Sequence, residues 1–259
     1  AIRELASGRT VYAQEAAAAL SAYVSGGDPG ESLTSLTARE REVLSGLGHI
    51  KTTGGHSGAD TWLTGANLLD AFLIGTEMPG LTTIRSGAST YPAVTAFKTL
   101  AADVSAILGA GTKIGYAADW SEYFGHHPAD GSGDVYFHLD PLWSDTNINF
   151  IGIDNYMPLS DWRDGFDHAD AALAPAIYDR AYLQSNITGG EGFDWFYAST
   201  ADRAEQDRTT IADGAAGKPW VFRYKDLRAW WSNPHYNRPG GVESVTPTSW
   251  VPQSKPVWF

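Results

Sequence analysis

The stretch LLDAFLIGTEMPGL, residues 68–81, decides how the chain is read. An apolar run of Ala71, Phe72, Leu73 and Ile74 passes Gly75 and Thr76 and delivers Glu77 just ahead of Pro79 and Gly80. A short apolar run bounded by turn formers predicts a buried strand over 70–77. The acid at its end has two readings. It is a solvated residue opening a turn, or a catalytic carboxylate held at the mouth of a barrel.

Working outward, the same rhythm recurs. KIGYAAD (113–119), NFIGIDNY (149–156) and KPVWF (255–259) read as further strands. Between the first two strands, Val94, Phe97, Leu100, Val104 and Leu108 recur at helical spacing, and Gly109 and Gly111 stop that helix. Strand–helix–strand at this spacing predicts parallel pairing through a right-handed crossover. Residues 157–254 are too long for a simple crossover and predict an elaborated excursion, with a strand at PWVFRY and a helix at KDLRAWW. Upstream, residues 1–48 read as a helical hairpin, with Thr37 and Glu40 forming a capping box. Residues 49–67, rich in glycine and threonine, read as a junction loop. The expected fold class is therefore α/β: a parallel sheet or barrel over 68–259 behind an N-terminal helical segment.

Three of the strands share one pattern, a small residue two places before an acid. Gly75 precedes Glu77, Ala117 precedes Asp119, and Gly152 precedes Asp154. Strand side chains alternate, so each pair is expected on one face. In (β/α)8 barrels the site is built at the carboxyl ends of the strands. The loops that follow carry groups suited to sugars: Trp120, Glu122, Tyr123, His126 and His127 after the second strand, then Asn155, Tyr156 and Trp162 after the third. Each acid also has a plainer reading, as a solvated cap on the next turn. Adjacent histidines do not share a face as an i,i+4 pair does, so no metal site is expected. No G-x-S-x-G elbow or glycine-rich phosphate cradle occurs. The glycines and acids of GHHPADGSGD lack EF-hand spacing, and NIT at 186–188 is a formal sequon of little weight.

Composition narrows the partners. A net charge of -12 argues against a nucleic-acid or anionic-membrane surface, which would need a basic face. Neutral glycans are compatible with it. The chain has no cysteine, hence no disulfide framework and no thiol nucleophile. No apolar run approaches a membrane span, and no signal peptide is evident. The first residue is Ala, so an excerpt of a longer protein is expected.

The segments DAFLIGTEMPGLT, GTKIGYAADWSEYFG, NFIGIDNYMPLSDWRDG and GKPWVFRYKDLRAWWSNPHYNRPGG, with others between them, resemble one family over about 68–259. It is the glycoside-hydrolase-like TIM-barrel domain of gene transfer agent and phage-tail baseplate proteins. The resemblance implies a partial (β/α)8 barrel, a cell-envelope glycan as substrate or ligand and other baseplate or tail proteins as partners. It implies location in a virion or phage-tail-like particle, and no cofactor. It makes Glu77 the general acid/base. Asp119, Trp120, Glu122, Asp154, Asn155 and Tyr156 become candidate substrate-binding residues, with Trp120 as a stacking platform. The second carboxylate of the two-carboxylate mechanism is expected one step past Phe259, so turnover by the chain as given is not expected. The alternative is a non-catalytic structural or glycan-binding module. Residues 1–48 are similar, over a shorter stretch, to the front of a LuxR/NarL-type DNA-binding domain. That region is not basic and has no recognition helix, so no nucleic-acid function follows.

Overall fold

The computed structural model describes residues 70–214 and 216–259. The helical segment expected over 1–48 and the junction at 49–67 lie outside the described residues.

The apolar run at the start becomes β1 (Ala71–Thr76). Pro79 and Pro92 then open α1 (Pro79–Thr82) and α2 (Pro92–Leu108), where a missing N–H costs nothing. The buried face of α2 is Val94, Phe97, Ala101, Val104 and Leu108, and Gly109 ends the helix at φ 76. This helix packs on β1 and on β2 (Lys113–Asp119). In β2 residues 114–118 are all buried, and in β3 (Phe150–Asp154) residues 150–153 are too. Burial on both faces is what a covered parallel sheet requires.

Two glycines let these strands approach. A Cβ on Gly115 would stand 2.5 Å from the Phe150 ring. One on Gly152 would stand 2.9 Å from the backbone of Ala117 and Tyr116. Of the small residues beneath the strand-end acids, Gly152 and Ala117 thus serve close packing between β2 and β3.

Between β2 and β3 lies α3 (Asp140–Trp143). After β3 the chain makes its excursion through α4 (Arg180–Ser185), β4 (Trp195–Phe196), α5 (Thr200–Glu205), β5 (Thr209–Thr210) and α6 (Leu227–Ser232). The helices of this excursion are short, and each begins on a side-chain cap. Asp179, Ser199 and Asp226 accept from the N–H groups of Tyr182, Asp202 and Ala229. The chain returns in β6 (Val257–Trp258) beside β3. The sheet order is β1-β2-β3-β6, all parallel, with β4 and β5 forming a separate antiparallel ribbon. Parallel strands laid side by side in chain order are an arc of a (β/α)8 barrel.

An aromatic core behind β2 and β3 ties the excursion down. Trp143, Trp230 and His235 are fully buried. The His235 ring stacks between Phe137 at 4.2 Å and Trp250 at 5.5 Å. Its Nδ1 lies 2.9 Å from Asp140 Oδ2 and its Nε2 lies 2.8 Å from the Trp230 carbonyl. Thr248 donates to the same carboxylate.

Several expectations change here. PWVFRY is not a strand: Pro219–Phe222 is a 3-10 turn. Its bonds run Val221 N–H to the Lys218 carbonyl and Arg223 N–H to the Trp220 carbonyl. Pro219 fixes φ at the first position, and Trp220 and Val221 turn into the core. The helix expected at KDLRAWW is present as α6. Strand ends are shorter than expected, because Glu77, Asn155, Tyr156, Lys255 and Phe259 all fall outside the ladders. Among the described residues no helix is long and apolar enough to cross a membrane.

Candidate functional site

The carboxyl ends of β1, β2 and β3 form one rim. Asp119 and Asp154 are register partners, as are Ala117 and Gly152 beneath them. The expected alternation therefore holds for these two strands. It fails for β1. Leu73 pairs with Gly115 but Thr76 pairs with Ala117, so β1 carries one residue more over this interval. A bulge of this kind reverses which side chains face inward. Thr76 takes the place beside Ala117, and its hydroxyl donates to Asp154 Oδ2 at 2.6 Å. The contact reaches across β2, at the end where Ala117 is the register partner of both Thr76 and Gly152.

Glu77 follows the bulge at φ 48, a left-handed conformation rare for a residue with a Cβ. Its N–H donates to the Ala117 carbonyl at 2.8 Å, and its side chain is exposed. Asp119 accepts from the Ser121 N–H at 2.7 Å and from the Ser121 hydroxyl. This is turn-capping work, which leaves the other oxygen of Asp119 to the rim.

Glu122 sits elsewhere than a substrate contact would. It is only 2% exposed, and both its oxygens accept internal bonds. Oε1 takes the Tyr116 hydroxyl at 3.0 Å and the Thr82 hydroxyl; Oε2 takes the Asp119 N–H at 3.1 Å. Burial pushes its carboxyl above the usual range, and the hydrogen bonds only partly offset this. Tyr116 in turn accepts the Met78 N–H at 3.0 Å, one residue past Glu77. Glu122 thus braces the loop of Glu77 against the end of β2.

The aromatic and amide candidates divide. Trp120 is half-buried, edge-on to Tyr224 at 4.7 Å. Tyr156 is 73% exposed, and the exposed Asn155 accepts the Met157 N–H at 3.1 Å. Tyr123 is buried and donates to the Tyr224 carbonyl at 2.6 Å. Trp162 packs on His168 at 4.6 Å, in the excursion. His126 Nδ1 lies 3.0 Å from the Tyr91 hydroxyl. His127 stacks on Phe124, and burial depresses it to about 4. Among the described residues no group of three or more His, Cys, Asp or Glu is placed to hold a metal ion.

Sequence reasoning missed Thr76, Thr82 and Tyr116. The phenol of Tyr116 within the apolar run IGYAA was the available signal, since a buried hydroxyl must find a partner.

The model of the GTA TIM-barrel-like domain family matches residues 61–259, and the chain belongs to that family. The match begins within the stretch read as a junction. No curated protein matches the chain.

Proposed function

We propose that the barrel rim engages a cell-envelope glycan, within a gene transfer agent or phage-tail-like particle whose other tail proteins are its partners. Glu77 is its general acid/base. One observation carries this reading: Glu77, Asp119 and Asp154 end neighbouring parallel strands, with the exposed Tyr156 beside them and Trp120 on the next turn. Carboxylates with an aromatic face suit a pyranose, whose hydroxyls need acceptors and whose CH face stacks. Two-carboxylate hydrolysis would pair Glu77 with a second acid, at roughly 5–5.5 Å for retention or about 6.5–9.5 Å for inversion. Glu122 is a positioning residue here, because its oxygens are spent on Thr82, Tyr116 and Asp119.

A second reading, glycan binding without turnover, draws support from the exposure of Glu77. An acid that must hold its proton near neutrality is normally enclosed. Release of reducing ends from isolated envelope glycan, by the protein that carries this domain, separates the two. Glu77→Gln should lower release by about 10²–10⁴-fold and leave glycan retention intact. Unchanged release sinks the acid/base role. Retention with no release by either form supports the binding reading instead.

A further inference from the structure

The excursion between β3 and β6 encloses a cavity of about 270 Å3. The loop after β3 links it to the rim. That loop carries Asn155 and Tyr156 at the rim, then Pro158, Ser160 and Asp161 in the cavity wall. Lys225 is in the lining too, and its neighbour Tyr224 packs edge-on against Trp120 at 4.7 Å.

The charges around the cavity balance. Asp161 pairs with Arg163 at 2.9 Å and with Arg208 at 2.8 Å, Asp170 pairs with Arg208, and Glu191 pairs with Arg203 at 2.6 Å. Asp194 completes the carboxylates of the lining, and Lys225 completes the cations. Burial lowers Lys225 to about 8, and the charges of Glu191 and Asp194 oppose that shift. The four carboxylates and four cations therefore sum to no net charge at neutral pH. A charged ligand would upset that balance at a partly buried site, whereas a neutral polar ligand would not.

Polar groups of the lining nonetheless have bonds left to make. Lys225 is 5% exposed, and its ammonium donates to the carbonyls of Asn186 at 3.0 Å and Gly189 at 3.1 Å, which leaves one of its hydrogens. Asp194 accepts the Gly190 N–H through Oδ2 at 2.9 Å, which leaves Oδ1. The Thr188 hydroxyl, also in the lining, makes no hydrogen bond to another described residue. Spare donors and acceptors with no net charge suit a ring of hydroxyls, because each hydroxyl both donates and accepts. Trp195, under the Arg208 guanidinium at 4.1 Å, adds an aromatic wall. The volume lies just under the roughly 300–1,000 Å3 of small-molecule sites, so it admits one sugar ring and not a chain.

We infer that this cavity is a subsite for one uncharged pyranose unit, whose hydroxyls bond to Lys225, Asp194 and Thr188. That the ligand is a sugar rests on the glycan reading above, whereas its neutrality rests on the charge balance of the lining.

NMR titration of the full chain with glucose and N-acetylglucosamine, and with glucuronate and glucosamine as charged counterparts, tests it. At mildly acidic pH at least one neutral sugar should bind, and the charged sugars should bind at least about tenfold more weakly. Amide shifts should move at Ser160, Thr188, Gly190 and Lys225. Thr188→Val, at an exposed position, should weaken the neutral sugar by about threefold or more. Asp194→Asn removes one carboxylate and should narrow the gap to glucuronate by at least about threefold. No neutral binding, charged sugars bound as tightly, unchanged affinity in Thr188→Val or an unchanged gap in Asp194→Asn would overturn the subsite. Shifts confined to Glu77, Asp119 and Asp154 would overturn it while supporting the rim. Shifts in the cavity, with neither release nor retention of glycan in the assay of Glu77, would overturn the rim and leave the subsite standing.

Discussion

Truncating Glu122 to alanine should destabilise the fold by about 3–5 kcal/mol. The magnitude follows from what the carboxylate holds. Removing it leaves the Tyr116 hydroxyl, the Thr82 hydroxyl and the Asp119 N–H without their acceptor. Tyr116 and Thr82 are both fully buried, so they cannot turn to bulk water. Each orphaned buried donor costs about 1–3 kcal/mol, and water entering the space recovers part of that. Urea unfolding followed by tryptophan fluorescence gives the difference directly. Thermal melting should fall by roughly 2–4 °C per kcal/mol for a domain of this size. A loss below about 1 kcal/mol would refute the brace, because the donors would then have other partners.

Glu122→Gln isolates the charge. Burial raises the folded-state pKa of Glu122 above its unfolded value. The folded state therefore keeps this proton over a range in which the unfolded chain has released it. Stability from this source is complete below the unfolded value, about 4.3, and is lost as pH rises through the folded value. Glutamine does not titrate. The stability of wild type relative to Glu122→Gln should thus decline above about pH 4.3, with a slope of at most ~1.4 kcal/mol per pH unit. The constant offset from the new amide does not matter, only the slope. A difference that stays flat from about pH 4 to 7 would show that Glu122 is not desolvated in the folded state.

Two further substitutions probe how the excursion is held. A Cβ on Gly192 would stand 2.0 Å from Tyr224 Cζ, at φ 80, so Gly192→Ala should cost at least about 2 kcal/mol. Urea unfolding reads the loss, and an unchanged midpoint would show that the Tyr224 ring does not occupy this space. Asp140→Ala removes the shared partner of buried His235 and Thr248 and should cost about 3–5 kcal/mol in denaturant unfolding. A cost near zero would mean that the stacking of His235 and its contact with the Trp230 carbonyl hold it without Asp140.

The parallel sheet was legible because its information is local. Ile114–Ala118 and Phe150–Ile153 are apolar on both faces, and that property needs no partner to be recognised. The helix of Val94, Phe97 and Val104 was equally plain from its period. PWVFRY misled for the converse reason. Its aromatic and β-branched residues have strand propensity, yet Trp220 packs against the stacked rings of Phe137 and His235, and Phe137 lies far upstream in sequence. Local pattern has no access to such contacts. The cavity in the excursion that Arg208 and Lys225 help to line was invisible on the same grounds, since its walls come from the segments 158–161, 170–173 and 185–195. Glu122 illustrates an intermediate case. The position on a rim loop was readable, but burial under Thr82 and Tyr116 depends on how α1 docks on β2.

The placement of Glu77 turns on a single extra residue. Without the bulge, Gly75 would lie beside Ala117, and Glu77 would stand on the interior face in line with Asp119 and Asp154. With it, Thr76 takes the inner place and its hydroxyl occupies one oxygen of Asp154. Glu77 is then the residue re-aimed by the bulge, as happens often beside active sites. Its left-handed backbone costs of order 1–3 kcal/mol, which the bonds from Glu77 N–H to Ala117 and from Met78 N–H to Tyr116 help to offset. A strained acid held by its neighbours on both sides is poorly explained as a solvated turn, since an unstrained turn residue there would be cheaper. The left-handed backbone sets where the chain of Glu77 leaves β1, and the side chain there is exposed. On the proposed reading, a glycan would reach Glu77 from the solvent side of the rim, and Asp154, already paired with Thr76, would be the less available of the two acids.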